Sequence, residues 1–211
     1  MNDTAHIEIG QIAAGVVNTS PSAFWMIWQV FSNPVVLDDC QREVAQLVKT
    51  SPDGVCSIDL AQARTSCPVL VSTWQEVLRF HGTSVTARIV QEDTTVDAKY
   101  LLKRGGVVLM PNEVIHTAAF RGFGGGHVLC LGRHFASTEV LALVALLLVR
   151  FDVHPIGGTW IEPPKHNVMD RAFPLLKGDV EVEIVSKGVQ RWQISFSDSR
   201  TGVNIIAEDL E

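Results

Sequence analysis

Four cysteines are scattered through the chain, and only Cys130 sits in a setting that could do chemistry. Residues 123–136 read Phe-Gly-Gly-Gly-His-Val-Leu-Cys-Leu-Gly-Arg-His-Phe-Ala, a glycine-rich loop that delivers one thiol to the start of an apolar helical run. Gly124, Gly125 and Gly126 free the backbone for positive φ and for close approach of a flat ligand, and Gly132 removes a side chain behind the sulfur. Free N–H groups at the tip of a following helix favour a negative sulfur, so Cys130 is a candidate anionic metal ligand. No Cys-x-x-Cys accompanies it, which argues against zinc and iron–sulfur ligation and leaves a lone axial thiolate of the haem kind. Taken on these residues alone, a small buried cysteine in a glycine turn is an equal alternative.

The elements that must position this loop follow from the hydrophobic pattern. Residues 6–31 form one long helix by the spacing of Ile9, Ile12, Ala13, Val16 and Val17, with Pro21 expected to kink it and to leave an unpaired polar groove near Asn18 and Thr19. Residues 35–48 make a second helix, with Asp38, Asp39, Arg42 and Glu43 on its solvent side. Ser51-Pro52-Asp53-Gly54 is a turn. Pro68 opens a further helix ending near Phe80, on which Glu76 and Arg79 meet at i and i+3. Segments 85–90, 96–102 and 107–110 read as short antiparallel strands, residues 132–149 as a core helix, and 180–185 with 189–196 as strands around Ser186-Lys187-Gly188.

Composition bounds the class. With 211 residues, 46% hydrophobic and 19% charged, the chain can bury one core and is not disordered. A net charge of -6 without a Lys/Arg run argues against nucleic acid as partner. The cysteines show no disulfide spacing and the first residues no signal-peptide pattern, which favours an intracellular, reducing setting. Residues 10–31 carry no charge and are long enough to span a bilayer, yet Gln11, Asn18, Thr19, Ser20, Ser22 and Gln29 would then lie in lipid. A buried helix of a globular domain is the better reading, and a membrane-anchored fragment the other.

Phe123, Gly126, Cys130, Gly132, Arg133 and Ala136 together resemble the cysteine loop of the cytochrome P450 family, Phe-x-x-Gly-x-x-x-Cys-x-Gly with Arg-x-x-Ala after it. One difference is Val128, where many members carry Arg or His. The resemblance implies a mainly α fold with small β-sheets (α+β), the C-terminal portion of the P450 fold in truncated form, as a single domain over 1–211. Within it, 1–31 would be the central distal helix, 67–80 the Glu-x-x-Arg helix, 85–116 a β region, 123–149 the haem-cysteine loop and helix, and 150–211 a C-terminal β region. Residues 168–175 would line a substrate pocket by family position.

By the same resemblance Cys130 would be the proximal iron ligand of haem b, with Phe123, Gly126 and Gly132 shaping its loop. Arg88 and His127 would face haem propionates. Asn18, with Thr19, would lie on the distal side as catalytic residues, since Val17 to Trp25 is similar to the branch of sterol 7α-hydroxylases and prostacyclin synthase, including fungal members. Glu76 and Arg79 would form a buried structural lock. The implied activity is haem-thiolate monooxygenation of an apolar small molecule such as a sterol, lipid or secondary metabolite, with an electron-donor reductase as partner. The branch keeps peroxide isomerisation open, and the family suggests the endoplasmic reticulum membrane, although this chain has no clear anchor and a soluble protein is also expected. Two departures set a haem-free remnant with an interaction role beside the enzyme. The resemblance spans only the C-terminal half of a usual member, and the connection from His116 to Phe123 lacks the Pro-x-Arg-Phe-like element whose arginine completes the Glu-x-x-Arg lock.

Overall fold

The computed structural model describes residues 3–112, 122–125, 129–167 and 171–197, excepting the side chains of 3–12 and 14. Helix α1 (Asp3–Phe31) is the longest element and runs through Pro21 without a break. Proline brings no N–H for the carbonyl four residues back. Next to it, the Ser22 hydroxyl donates to the Thr19 carbonyl at 2.8 Å. The expected kink does not interrupt the helix. Trp25, Met26, Trp28, Val30 and Phe31 are buried, so the C-terminal half of α1 is a core helix. No helix among the described residues is long and apolar enough to cross a membrane, which sets aside the spanning reading of 10–31.

Asn33 ends the turn after α1 and caps α2 (Pro34–Gln46), its side-chain oxygen accepting from the N–H groups of Val35 and Val36. Arg42 bridges Asp38 and Asp39 on the exposed face as expected. Glu43 is a correction: its carboxylate turns inward and accepts from the N–H groups of Val69 and Leu70 at 2.9 and 3.0 Å. Those are the free donors at the start of α4 (Pro68–His81), where a carboxylate also meets the positive end of the helix dipole. Cys67, the residue before α4, donates no cap from its side chain, so α2 supplies one from a distance. The fourth long helix, α5 (Arg133–Arg150), buries Val140, Leu141, Val144, Ala145 and Leu148. It packs with α1, α2 and α4 around Trp25 and Trp74, both essentially inaccessible. A four-residue helix, α3 (Ala63–Ser66), precedes α4.

Among the described residues, five small sheets trim this bundle. Strands β1 (Val48–Thr50) and β2 (Val55–Asp59) form a hairpin, and β11 (Arg191–Ser195) joins β2 in parallel with Trp192 opposite Cys56. The buried carboxylate of Asp59 fastens that pairing by accepting from Ser197 N–H at 3.1 Å and Ala61 N–H at 3.2 Å. β3 (Val85–Ile89) pairs with β6 (Val107–Pro111), and between them β4 (Thr94–Val96) and β5 (Tyr100–Leu102) form a separate hairpin. The expected strand 96–102 is thus split, because Asp97 and Ala98 adopt φ of 53° and 50° and turn the chain. β7 (Phe151–Pro155) pairs with β10 (Val182–Ser186), and β8 (Lys165–His166) with β9 (Leu175–Leu176). The two strands expected on either side of residues 186–188 both form, but β10 and β11 go to different sheets, each to a partner distant in sequence.

Candidate functional site

Cys130 is a free, exposed thiol immediately before α5. Its place is fixed through the backbone rather than the side chain. The Cys130 N–H donates to the Phe123 carbonyl at 3.0 Å, closing the loop, and its own carbonyl accepts from Arg133 Nη1 at 3.2 Å. Gly124 takes φ of 84°, the positive value expected of the glycine run. Gly132 caps α5, and a Cβ there would lie 3.9 Å from the Cys130 sulfur, an ordinary contact. The loop is anchored at Phe123, whose ring lies 6.4 Å from that of Trp74. Trp74 in turn donates from Nε1 to the buried Ser137 hydroxyl at 3.1 Å, so α4, α5 and the loop are locked together. Gly126 and His127 lie outside the described residues.

Beside the loop, α1 and α5 face each other across an open groove of about 530 Å³. Gly15, Val16, Thr19 and Ala23 form one wall and Phe135, Glu139 and Leu143 the other. Its rim is apolar for an exposed surface: Val16 is 63% and Phe135 68% exposed; Leu131, next to the cysteine, is 90% exposed but does not line the groove. Thr19 thus lines the groove. Asn18 does not; its side-chain oxygen accepts from Ala172 N–H at 3.2 Å, while the Ala172 carbonyl accepts from Thr83 N–H at 2.9 Å. One residue is thereby held between α1 and the segment leaving α4.

The remaining sequence-predicted residues lie elsewhere. Arg88 is exposed on β3, its guanidinium bonded to the neighbouring Ala87 carbonyl at 2.8 Å. Glu76 and Arg79 pair as read, through three contacts of 2.6 to 3.0 Å, but on the solvent side of α4, 58% and 40% exposed. This corrects the buried lock. Trp74, Val77 and Leu78 point α4 into the core and leave the pair outside. Hydrogen bonding from Arg79 lowers the Glu76 pKa and the reciprocal bond raises that of Arg79, yet an exposed pair of this kind adds little stability. Among the described residues no group of three or more metal-ligating side chains occurs.

One cluster escaped the sequence reading. His81, at the end of α4, is buried and stacks on Trp25 with ring centroids 3.9 Å apart. The Lys165 ammonium stands 5.1 Å from the Trp25 ring and 5.2 Å from that of Phe80. Burial first, and then the Lys165 charge, push the His81 pKa down from 6.5 to about 4. These residues are remote in sequence, and no local motif marks them.

A long central helix thus packs against a second helix whose N-cap, Gly132, lies two residues after an exposed cysteine. Comparison with known proteins gives the family. The cytochrome P450 family model matches residues 1–117 and 110–182, and the chain belongs to that family. It is 36% identical over 205 residues to the cytochrome P450 monooxygenase nodJ of Hypoxylon pulicicidum, covering 79% of this chain and 40% of the relative. A cytochrome P450 monooxygenase of Gibberella zeae is 28% identical, covering 84% and 41%. Rat prostacyclin synthase is 23% identical, covering 82% and 43%. The chain therefore spans well under half the length of these relatives. The two family matches meet at residues 110–117, beside the connection that the sequence marks as short.

Proposed function

We propose that this chain forms the cysteine-bearing half of a haem-thiolate monooxygenase of small apolar molecules, with Cys130 as the axial ligand. The observation that carries the reading is the free, exposed Cys130 thiol, held by its backbone just ahead of α5, the helix whose first turns supply Phe135 and Glu139 to the groove, although Cys130 itself does not line it. Haem held by a single thiolate supplies oxygen activation, with electron density donated by the sulfur. The loop holds the sulfur still through the Phe123 carbonyl and the Trp74 contact. Phe135, Leu143 and Val16 give the groove apolar walls, and Thr19 places a hydroxyl among them. Asn18 acts at one remove, holding the Ala172 segment against α1. Arg88 and His127 are the residues offered for the propionates, and a sterol, lipid or secondary metabolite is the substrate class suggested by the sterol-hydroxylase and fungal relatives.

A second reading, a haem-free remnant with an interaction role, is favoured by the exposed Glu76–Arg79 pair and by the open groove rim. Reconstitution separates the two. The purified chain is mixed with haem, reduced and exposed to carbon monoxide; a thiolate-type Soret band that Cys130→Ala abolishes supports the proposal. Failure to take up haem, or an identical spectrum from the alanine variant, overturns it.

A further inference from the structure

A second cavity, of about 340 Å³, opens at the C-terminal end of α4 and shares no lining residue with the α1–α5 groove. Arg79 and Lys165 line it, whereas their carboxylate partners Glu76 and Glu162 do not. Among the described lining residues the charged groups are therefore both cations, and Lys165 lowers the His81 pKa by more than Glu162 raises it. Two further lining residues hold buried polar atoms without a partner, His81 Nδ1 and Thr83 Oγ1. Buried polar atoms are almost always hydrogen-bonded, so two such atoms at one cavity mark a place made for a polar occupant. Phe80 and Pro174 add apolar wall, and Asn167 adds an amide.

We propose that this cavity binds a small monocarboxylate with an apolar body. Lys165 and the uncommitted Nη1 side of the Arg79 guanidinium meet the carboxylate, Thr83 and Asn167 bond its remaining lone pairs, and Phe80 packs against the body. A single negative charge suits the site because each cation is already half-compensated outside the cavity by Glu162 or Glu76; a dianion would over-neutralise it. His81 is neutral near neutral pH and presents Nδ1 as a donor in one tautomer. An incoming carboxylate favours the imidazolium, so occupancy raises the His81 pKa.

The test titrates the full 211-residue chain with benzoate and with benzamide, its neutral twin, following the His81 and Thr83 resonances and the heat of binding. Expected are saturable benzoate binding, a rise in the His81 pKa, and benzamide weaker by about tenfold or more, as the loss of one charge-assisted bond predicts. Lys165→Met should weaken benzoate by a similar factor. Asn167→Ala, on an exposed segment, should weaken it less and serves where the lysine variant does not fold. Equal binding of the two probes, shifts confined to the α1–α5 groove, or no saturation would overturn the assignment. Cys130→Ala leaves benzoate binding unchanged whether or not haem is taken up, so failure here is distinct from failure of the haem proposal.

Discussion

His81 makes the stability of this fold depend on acidity in a way that can be isolated. In the folded chain its pKa is about 4, against 6.5 for a free imidazole, because it is buried on Trp25 with Lys165 nearby. A depressed pKa means that the unfolded chain binds the proton first. The contribution of neutral His81 is complete above the ordinary histidine value and is lost as pH falls from there toward the folded value. Each unit is worth about 1.4 kcal/mol, so between about pH 7 and about pH 4 the loss is about 3 kcal/mol. Asp59 and Glu76 also destabilise the fold in acid, their folded pKa values being lowered by Ser197 and Arg79. The measurement is therefore differential. Urea unfolding of the wild type and of His81→Phe, whose ring can still stack on Trp25 but binds no proton, is followed over that range. The carboxylate effects cancel, and the gap between the two proteins should move by about 3 kcal/mol in favour of the variant as pH falls. A gap constant within about 0.5 kcal/mol would refute the argument and place His81 in contact with water.

Two further perturbations test how the site is positioned. Glu43→Ala removes the remote cap of α4 and should lower unfolding free energy by about 1–2 kcal/mol, with Glu43→Gln recovering part of it; a loss below about 0.3 kcal/mol would mean that water replaces the carboxylate without cost. Asn18→Ala frees the Ala172 N–H, so amide exchange at Ala172 should lose its protection while Val30 and Phe31 in α1 keep theirs, whereas Asn18→Asp should retain most of it. Unchanged exchange in the alanine variant would show that Thr83 alone holds that residue.

Local patterns read well where local forces decide the outcome. The glycine loop, the helix opened by Pro68 and the core helix α5 were all legible, because each depends on residues within a few positions. Strand partners were not. Val182–Ser186 and Arg191–Ser195 look like the two arms of a hairpin, yet β10 goes to β7 and β11 to β2, where Trp192 and Ile194 find partly buried places against the core. The alternation of Cys56 and Ile58 inward with Val55 and Ser57 less buried was a usable signal for β2 that the neighbouring turn obscured. Glu43 was misread for a similar reason: its spacing with Arg42 and Asp39 fits a solvent face, and only the docking of α4 turns it inward. The depth of Glu76 and Arg79 could not be read from an i, i+3 pair, since sequence gives the pairing but not what covers it.

The geometry around Cys130 separates what this half of the fold secures from what it leaves open. The sulfur's position depends on a chain of direct contacts, from the Phe123 carbonyl through Trp74 to Ser137, that lies within the described residues and ends in the buried core. The spacing of α1 from α5 is likewise fixed from below by Trp25, Met26, Val140 and Val144, all without accessible surface. Neither feature needs the part of its relatives that this chain does not span. Exclusion of water does: Val16 and Phe135 stand open on the rim and Leu131 is exposed next to the cysteine, and a thiolate ligand exchanges readily where water reaches it. On the proposed reading, the chain should therefore take up haem through Cys130 yet support little turnover until that rim is covered.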